Sequence, residues 1–412
     1  MSLSVEEARR QVLGLCRRLD AERVPLLQAL GRMLAVDVHS DIDIAPFDNA
    51  AMDGFAVRAA DLAGAGNETP VSLEVIATIA AGSAATVSVG SGQAARIMTG
   101  APVPAGADAV VMVEHTSHEE PEGRWVQVRR AVADGEHIRR RGEEVAVGGR
   151  VLSAGEAVGP AAVGLLAATG HAGIQVYRRP RVAVLSTGDE LVEVTERPGP
   201  GRIRNSNSYT LAAQVLAAGG VPIRFPIVPD EPEAMRAAFR RAAAEADFIV
   251  ASGGVSVGDF DYVKPVLESL GEMIFCEVAM RPGKSQTLGA IDGVPFFGLS
   301  GSPTAALVGF EIFVRPALRL LQGRSALDRP RAVARLAHEV TKKADRRYFL
   351  RARLTRADED RLSVALAGSQ PAAPLTAAHQ GNCLLVLPEG TSRFPAGTSV
   401  EVIRLDMGEE AI

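Results

Sequence analysis

The chain has 412 residues, of which 47% are hydrophobic, 23% charged and 4% aromatic, with 41 glycines. The hydrophobic and charged fractions are typical of a globular protein, the aromatic fraction is low, and the glycines indicate many turns. The length predicts roughly two to four domains. The net charge of −5 disfavours a nucleic-acid or anionic-membrane binder, because those surfaces are held by an excess of Lys and Arg. Any anion is therefore expected to be bound locally.

The first predicted element is a helix over residues 4–19, where apolar residues recur at helical spacing and Ser4 and Glu7 form a capping box. Acidic residues stand where a signal peptide would be basic, and no apolar run approaches the ~20 residues of a membrane span. A cytoplasmic protein with no membrane partner is expected. Three cysteines lie far apart and are predicted to be small buried hydrophobes: Cys16, Cys276 and Cys383.

Short alternating strands separated by turns follow from residue 43 to 145, and helical spacing returns at 156–170. We interpret residues 43–145 as a β-rich domain inserted into a helical linker domain, which is formed by residues 1–42 with 146–178. Helical texture on both sides of the strands is the reason for this division.

Strand and helix patterns alternate over residues 179–326, which predicts a three-layer α/β domain. Strand patterns predict a small C-terminal β-barrel domain over residues 327–412. The fold class is therefore multidomain α/β plus β. Helices of the α/β domain are predicted at residues 207–218, 231–245, 262–269 and 303–320.

Three predicted strands of the α/β domain each end in a loop of small residues. The strands at 181–186, 247–252 and 294–299 lead into loops that begin TGDE, GGVSVGD and SGSPT. In a mostly parallel sheet, loops at the carboxyl ends of neighbouring strands share one crevice, where such folds bind ligands. One anion site is predicted, although a tight turn alone would explain one or two of the glycines. Its expected ligand-binding residues in the first two loops are Thr187, Gly188, Ser252, Gly253, Gly254, Ser256 and Gly258.

The third loop also starts a helix. Ser302 is a suitable N-cap, and Pro303 stands at the first helical position, where Pro is favoured. Such a helix start favours an anion by roughly 0.3 to 1 kcal/mol. Gly301 lets a ligand approach the backbone, and Ser300 adds a hydroxyl. An ordinary capped helix would show the same residues.

Carboxylates cluster around the same predicted crevice, at Asp189, Glu190, Asp230, Asp259 and Asp261. Beside a phosphate they would repel the ligand unless a hard cation bridges them. Mg²⁺ is usually held by one or two carboxylates together with phosphate oxygens, so a divalent cation is expected. Asp230 could instead cap the helix that follows it.

Positive charge comes from Arg281 and Lys284, in a turn between two strand patterns. Beside an oxyanion they would balance its charge, and otherwise they form a solvated loop face. In the β-rich domain, residues 48–56 (DNAAMDGFA) place two Asp in a segment predicted to be buried, and a buried carboxylate needs a partner or a ligand. The basic run at 137–141 could be a salt-bridged surface.

Six segments, in this order, resemble the molybdopterin molybdenumtransferase (MoeA) family, whose fold is shared by the E domain of gephyrin. They are residues 48–56 (DNAAMDGFA), 96–108 (RIMTGAPVPAGAD), 138–144 (IRRRGEE), 186–191 (STGDEL), 252–259 (SGGVSVGD) and 281–284 (RPGK). The resemblance covers essentially the whole chain. It implies an enzyme that takes adenylylated molybdopterin and molybdate, releases AMP and leaves molybdenum on the pterin dithiolene, with Mg²⁺ as the usual cation.

The resemblance also implies roles for particular residues. Glu190, Asp230 and Asp261 match the family's essential acidic residues and are expected to be catalytic and to hold the metal. Asp53 and Thr99 match functional positions of the β-rich domain and are also expected to be catalytic.

The resemblance extends to partners and to the C-terminal domain. Arg346 aligns with a basic residue that some members use near the molybdate. Family members are dimers in which the β domain of one subunit faces the α/β domain of the other, so a homodimer with a shared active site is expected. The molybdopterin adenylyltransferase is an expected further partner.

The third loop departs from the family pattern, which commonly reads LPGNPVS where residues 299–305 read LSGSPTA. Ser285 also stands where Pro is common, and residues 371–374 (PAAP) replace an expected serine-rich turn. A tungstate-inserting paralogue is therefore an alternative. A non-catalytic scaffold of the gephyrin type is a rival from another class, which the retained acidic residues disfavour.

Overall fold

The computed structural model describes residues 2–117, 123–254, 262–358, 361–370 and 375–406. Its contacts divide the chain into two compact units, Met1–Glu22 with Tyr177–Ile412, and Arg23–Val176. The four-domain division above is finer than this and stays a prediction. None of the described helices combines the length and apolar character needed to cross a membrane.

The α-helices, in chain order, are α1 (Val5–Leu15), α2 (Pro160–Ala168), α3 (Ser206–Ala217), α4 (Pro232–Glu245), α5 (Val263–Leu270), α6 (Pro303–Gly309), α7 (Arg315–Leu321) and α8 (Leu375–Gln380). Helix α1 begins at the predicted N-cap, because the Ser4 hydroxyl accepts a hydrogen bond from the Glu7 N–H at 3.1 Å. A π-helical turn, Phe310–Val314, joins α6 to α7. The predicted helices of the α/β domain are therefore confirmed to within about two residues.

The first strands, in chain order, are β1 (Ala21–Pro25), β2 (Val38–His39), β3 (Asn49–Ala50), β4 (Gly54–Val57), β5 (Val71–Ile79), β6 (Gln93–Ile97), β7 (Ala109–Met112), β8 (Trp125–Val128), β9 (Ile138–Arg139), β10 (Arg150–Leu152) and β11 (Gly173–Tyr177). The central sheet of the unit Arg23–Val176 has the order β7-β4-β6-β5-β8. Hydrophobic clusters cover both of its faces. Helix α2 packs its buried Leu166 in a separate cluster with residues from β1, β2 and β11.

The strands of the α/β region are β12 (Arg181–Ser186), β13 (Leu191–Val192), β14 (Ile203–Arg204), β15 (Val221–Arg224), β16 (Phe248–Ser252), β17 (Gly271–Glu277), β18 (Met280–Arg281), β19 (Ser285–Ile291) and β20 (Val294–Leu299). Six of them form a sheet in the order β15-β12-β16-β20-β19-β17. The first four are parallel, and β19 and β17 are antiparallel. Nearly every residue of β12, β16 and β20 is buried, as expected for parallel strands covered on both faces.

Helices cover both faces of this sheet. Residues of α1, α3, α6 and α7 pack in one hydrophobic cluster with one face, and residues of α4 and α5 pack in a second cluster with the other. The predicted three-layer α/β arrangement is therefore confirmed. Because β12, β16 and β20 are parallel, their carboxyl ends lie at the same edge of the sheet.

The last strands are β21 (Arg331–Leu336), β22 (Val340–Thr341), β23 (Arg347–Asp358), β24 (Arg361–Leu366), β25 (Cys383–Leu387), β26 (Arg393–Phe394) and β27 (Ser399–Arg404). The order β23-β24-β21-β27-β25 closes on itself, because β25 also pairs with β23. The predicted C-terminal barrel is confirmed. Strand β18 adds to it by parallel pairing with β23, which connects the turn at residues 281–284 to the barrel.

The cysteines differ in burial. Cys16 and Cys383 are buried as predicted, and burial raises the pKa of each thiol to about 12. Cys276 is only half-buried, so the prediction of burial is wrong for it, because it lies on the edge strand β17. The two buried thiols stay protonated at neutral pH and behave as core residues.

Candidate functional site

The carboxyl ends of β12, β16 and β20 lie side by side. Ser186 pairs with Ser252, and Ser252 pairs with Leu299, so the three strands end in register. The Thr187 N–H donates to the Ser252 carbonyl at 3.0 Å, and the Gly253 N–H donates to the Leu299 carbonyl at 3.2 Å. The structure therefore brings the three predicted loops together.

Gly253 is the point where the three loops touch. It has a φ of +98°, and a Cβ there would lie 2.5 Å from the Thr187 carbonyl oxygen. A Cβ at Gly301 would lie 3.5 Å from the Gly253 Cα, and one at Gly254 would lie 3.0 Å from the Thr187 Oγ1. Glycine is required at 253 because both its backbone conformation and the close approach of Thr187 exclude a side chain.

A cavity of about 50 Å³ opens between these loops. Its lining includes five of the residues predicted to bind the ligand, Thr187, Ser252, Gly253, Gly301 and Pro303, together with Glu190. The lining includes two side chains that sequence reasoning missed, Asn205 and Asn207 at the start of α3. Asn205 was detectable only as a helix N-cap, and nothing in the local pattern shows that Asn207 faces the loops.

Two loops carry the acidic residues at this edge of the sheet. The Asp189 N–H donates to the Asp230 carboxylate at 3.3 Å, and the Asp230 N–H donates to the Asp189 carboxylate at 3.2 Å. Helix α4 starts at Pro232 with Glu231 as its N-cap, so Asp230 is not the helix cap. These reciprocal bonds join the loop that carries Asp230 to the loop that carries Asp189 and Glu190.

The acidic residues fit a hard cation only in part. Among the residues that the structure describes, no three His, Cys, Asp or Glu side chains form a group that could hold a metal ion. Ser256, Gly258, Asp259 and Asp261, which complete the predicted set, lie outside the described residues. Mg²⁺ is usually held by one or two carboxylates together with substrate oxygens, so Glu190 and Asp230 stay the predicted metal ligands among the described residues.

The third loop differs from its prediction in one respect. Ser302 does occupy the N-cap position of α6, but its side chain makes no capping hydrogen bond. The Ser302 N–H instead donates to the Ser300 hydroxyl at 3.4 Å. The two serines are therefore used within the loop, and Thr304 is fully buried behind it.

Arg281, Lys284 and Arg346 line a second, larger cavity of about 780 Å³ between the 281–284 turn and the barrel. None of the three lines the small cavity. Further cations of this basic cavity are Lys342, Lys343 and Arg351. The two cavities are neighbours, since a Cβ at Gly283 would lie 3.5 Å from Ala305 on α6 and Pro303 of the same helix lines the small cavity.

Some of the cationic side chains that line the basic cavity contact carboxylates or an aromatic ring. Arg346 binds Asp345 at 2.6 Å and lowers the pKa of that carboxyl group, while Lys284 binds Glu277 at 2.9 Å and lowers the pKa of Glu277. The Lys342 ammonium lies 4.9 Å from the centre of the Tyr348 ring. Burial lowers the pKa of Lys342. The remaining excess of positive charge suits an oxyanion.

In the other unit, Asp53 and Thr99 contact each other directly. The Asp53 carboxylate accepts hydrogen bonds from the Thr99 N–H at 2.6 Å and from the Thr99 hydroxyl at 2.7 Å. These bonds lower the pKa of Asp53, with the backbone N–H as the largest cause. Asp53 is exposed, so its predicted burial is wrong, because buried strand β4 starts one residue later at Gly54.

Replacing Thr99 with Val is expected to raise the pKa of Asp53 towards its ordinary value of ~3.9, because one of the two donors to the carboxylate is lost. Because the pKa of Asp53 is lower in the folded state, its ionised carboxylate stabilises the folded protein at pH values above the ordinary pKa. This stabilisation is lost as the pH falls through the pKa of Asp53 in the folded protein. A ¹³C NMR titration of the Asp53 carboxyl group measures the change. Thr99→Ser keeps the hydroxyl and should leave the pKa unchanged; equal pKa values in all three proteins would contradict the assignment.

The basic run near residue 140 is a salt-bridged surface. Arg140 binds Asp48 at 2.8 Å, and the Arg141 side chain binds Asp43 at 2.5 Å. The Arg141 N–H also donates to Asp48 at 2.8 Å. Both arginines are exposed, so the salt bridges lie on the surface of this unit.

Comparison with known proteins identifies the class. Three family models match successive regions: the MoeA N-terminal region (domains I and II) over residues 3–170, a probable molybdopterin binding domain over 183–320, and the MoeA C-terminal region (domain IV) over 333–405. These three matches together cover most of the chain and define a protein of the MoeA type.

Named relatives give the same result. The molybdopterin molybdenumtransferase of Bacillus subtilis is 38% identical, with 99% of this chain and 96% of the relative covered. Molybdopterin molybdenumtransferase 2 of Mycobacterium tuberculosis is 40% identical, with 97% and 98% covered. A molybdopterin biosynthesis MoeA protein from Pyrococcus horikoshii has a TM-score of 0.84 at 33% identity, covering 99% of this chain and all of that one. The chain belongs to the molybdopterin molybdenumtransferase family of enzymes, which act in molybdenum cofactor biosynthesis.

Proposed function

We propose that this enzyme inserts molybdate into adenylylated molybdopterin and releases AMP, in a reaction that depends on Mg²⁺. The convergence of the three loops at Gly253 carries the proposal, because Gly253, Gly301 before helix α6 and the first loop, which carries Glu190, meet at one edge of the sheet. A substrate with a diphosphate linkage suits backbone N–H donors, and a dianion suits the neighbouring basic cavity.

The protein's own groups act by positioning and charge neutralisation. Glu190 and Asp230, with Asp261, would hold Mg²⁺, which when bound supplies neutralisation of the diphosphate charge. Arg281, Lys284 and Arg346 would hold the molybdate in the basic cavity, next to α6. No residue has to form a covalent intermediate, because the phosphoanhydride is already activated.

The direct test is AMP release from adenylylated molybdopterin on addition of molybdate to the full chain. We expect turnover with molybdate, and a comparison of rates with tungstate at low concentration tests the alternative oxyanion. Tungstate is an alternative substrate because the third loop departs from the family pattern at Ser300 and Ser302. No AMP release with either oxyanion would contradict the proposed reaction and favour a binding role.

Replacing Arg346 with Ala is expected to raise the KM for molybdate at least about 10-fold with a smaller change in kcat, because a charge-assisted contact to the oxyanion is lost. Steady-state AMP release at varied molybdate measures both constants. Arg335→Ala removes an exposed arginine of the same barrel that binds the Gly397 carbonyl at 2.9 Å, and serves as the control. A KM unchanged in Arg346→Ala would exclude this residue from the oxyanion site.

We further propose that the enzyme is a homodimer in which Asp53 and Thr99 complete the partner's site. An Asp53→Ala protomer mixed with an Asp230→Ala protomer should then regain about a quarter of wild-type activity, because half of the dimers are mixed and each carries one intact site. Each variant alone should be inactive. Mixtures that remain inactive although mass spectrometry shows mixed dimers would contradict a shared site.

A further inference from the structure

The small cavity between the three loops is lined by polar side chains whose hydrogen bonds are incomplete. Within the described residues, four buried atoms on its lining have no hydrogen-bond partner: Ser186 Oγ, Thr187 Oγ1, Asn205 Nδ2 and Asn207 Oδ1. The four residues are between 1% and 8% exposed. Each such buried group costs about 1 to 3 kcal/mol when unpaired, so the cavity is built for a polar ligand group.

The orientation of the Asn207 amide is determined by its neighbours. Its Nδ2 donates to the Gly301 carbonyl at 2.8 Å and to the Ser252 hydroxyl at 2.7 Å. A flipped amide would place Oδ1 against the Gly301 carbonyl oxygen, which is repulsive. Both amide hydrogens are therefore used, and Oδ1 offers the cavity an acceptor only.

The side chain of Asn205 offers the cavity a hydrogen-bond donor. Its Oδ1 caps α3 by accepting from the Ser208 N–H at 3.2 Å, and its backbone N–H donates to the Val192 carbonyl at 2.9 Å. With Oδ1 used as the cap, the side-chain Nδ2 is left to donate. The cavity therefore offers one amide acceptor and one amide donor, and the charged residues Glu190 and Arg204 also line it.

This pair does not match a phosphate group. A phosphate oxygen only accepts hydrogen bonds, so it would leave Asn207 Oδ1 unpaired and would be repelled by it. A lactam edge, with an N–H beside a C=O, matches both amides.

We propose that Asn205 and Asn207 bind the lactam edge of the pterin ring, so that this small cavity recognises the heterocycle of the substrate. The inference rests on the proposed function, since it takes a pterin as the substrate. Gly253 and Gly301 allow the ring to approach the backbone. Asn207 has a second role, because its Nδ2 connects the second and third loops.

The test uses 6-hydroxymethylpterin, which carries no phosphate, and measures its fluorescence on titration with the full chain. Asn205→Asp keeps an oxygen to cap α3 and replaces the donor with an acceptor. We expect its affinity for the probe to fall at least about 10-fold, and thermal unfolding without the probe measures the separate cost of burying the new charge. The N3-methyl derivative of the probe, which lacks the lactam N–H, should bind the wild type at least about 10-fold more weakly.

Thr210→Asp is the matched control, because it adds the same charge to α3 at a half-buried position outside the cavity lining. It should bind the probe as the wild type does. Equal affinity in Asn205→Asp, or displacement of the probe by pyrophosphate, would overturn the inference and assign the cavity to an anion. If the probe binds in a way that depends on Asn205 but the enzyme releases no AMP, the proposed reaction is wrong and the assignment of a pterin to this cavity still holds.

Discussion

Asp230→Asn is expected to lower the rate of AMP release at least about 100-fold, which corresponds to ~2.7 kcal/mol in the barrier. Asparagine keeps the shape of the side chain and an oxygen that can accept from the Asp189 N–H, so the paired turns should persist. What is lost is the negative charge that we assign to Mg²⁺ binding. The expected signature is a raised Mg²⁺ requirement together with the lower rate.

Glu190→Gln should behave in the same direction, because Glu190 lines the small cavity beside the loops. The measurement is AMP release as a function of Mg²⁺ concentration. Glu231→Gln is the control, since Glu231 is an exposed neighbour of Asp230 and loses the same charge. Wild-type turnover in Asp230→Asn would exclude Asp230 as a metal ligand. An equal loss of rate in Glu231→Gln would show that the effect comes from the loss of any negative charge in this region and not from metal binding.

Gly253→Ala is expected to abolish turnover, with a loss of at least about 100-fold and a fall in stability of about 1 to 3 kcal/mol. The new Cβ would lie 2.5 Å from the Thr187 carbonyl oxygen, and this neighbour is backbone that cannot rotate away. The first and second loops must then separate. Because Gly301 packs against the Gly253 Cα, the third loop loses its contact as well.

Backbone strain at a positive φ also contributes to the loss of stability in Gly253→Ala. A control variant separates this strain from the clash with the Thr187 carbonyl oxygen. Gly201 has a φ of +72° with nothing within 4 Å of an added Cβ. Gly201→Ala should therefore show only the modest cost of the backbone conformation and keep full activity. AMP release and thermal unfolding measure both variants. Full activity in Gly253→Ala would show that convergence of the three loops is not needed.

Much of the fold was predictable because strong local patterns agree with the tertiary structure. The apolar runs of β12, β16 and β20 are continuous and end in small residues, which is typical of buried parallel strands. The start of helix α1 was equally clear, since Ser4 caps it as the pattern predicts, but the helix ends at Leu15 and not at residue 19. The antiparallel edge formed by β17 and β19 was not predicted, because pairing direction depends on where a chain returns and not on its composition.

The site was predictable to a smaller extent. Glycine-rich loops and acidic residues are visible in any linear pattern, and the structure does bring Thr187, Gly253 and Gly301 together. Asn207 was missed because its role depends on contacts with Ser252 and Gly301, which are far away in sequence. Asp53 was predicted to be buried, and only the start of β4 at Gly54 shows that it is exposed.

The sequence by itself determined the family, the layered architecture and the residue types at the crevice, because these follow from local periodicity and from motifs in order. Only the tertiary structure decided that Arg281 and Lys284 lie with Arg346 in a basic cavity separate from the small one. It also decided which amide atoms remain available to a ligand. The physical reason is that hydrogen-bond satisfaction and the sharing of charge are set by neighbours in space, and the closure of the barrel and the sheet chooses those neighbours.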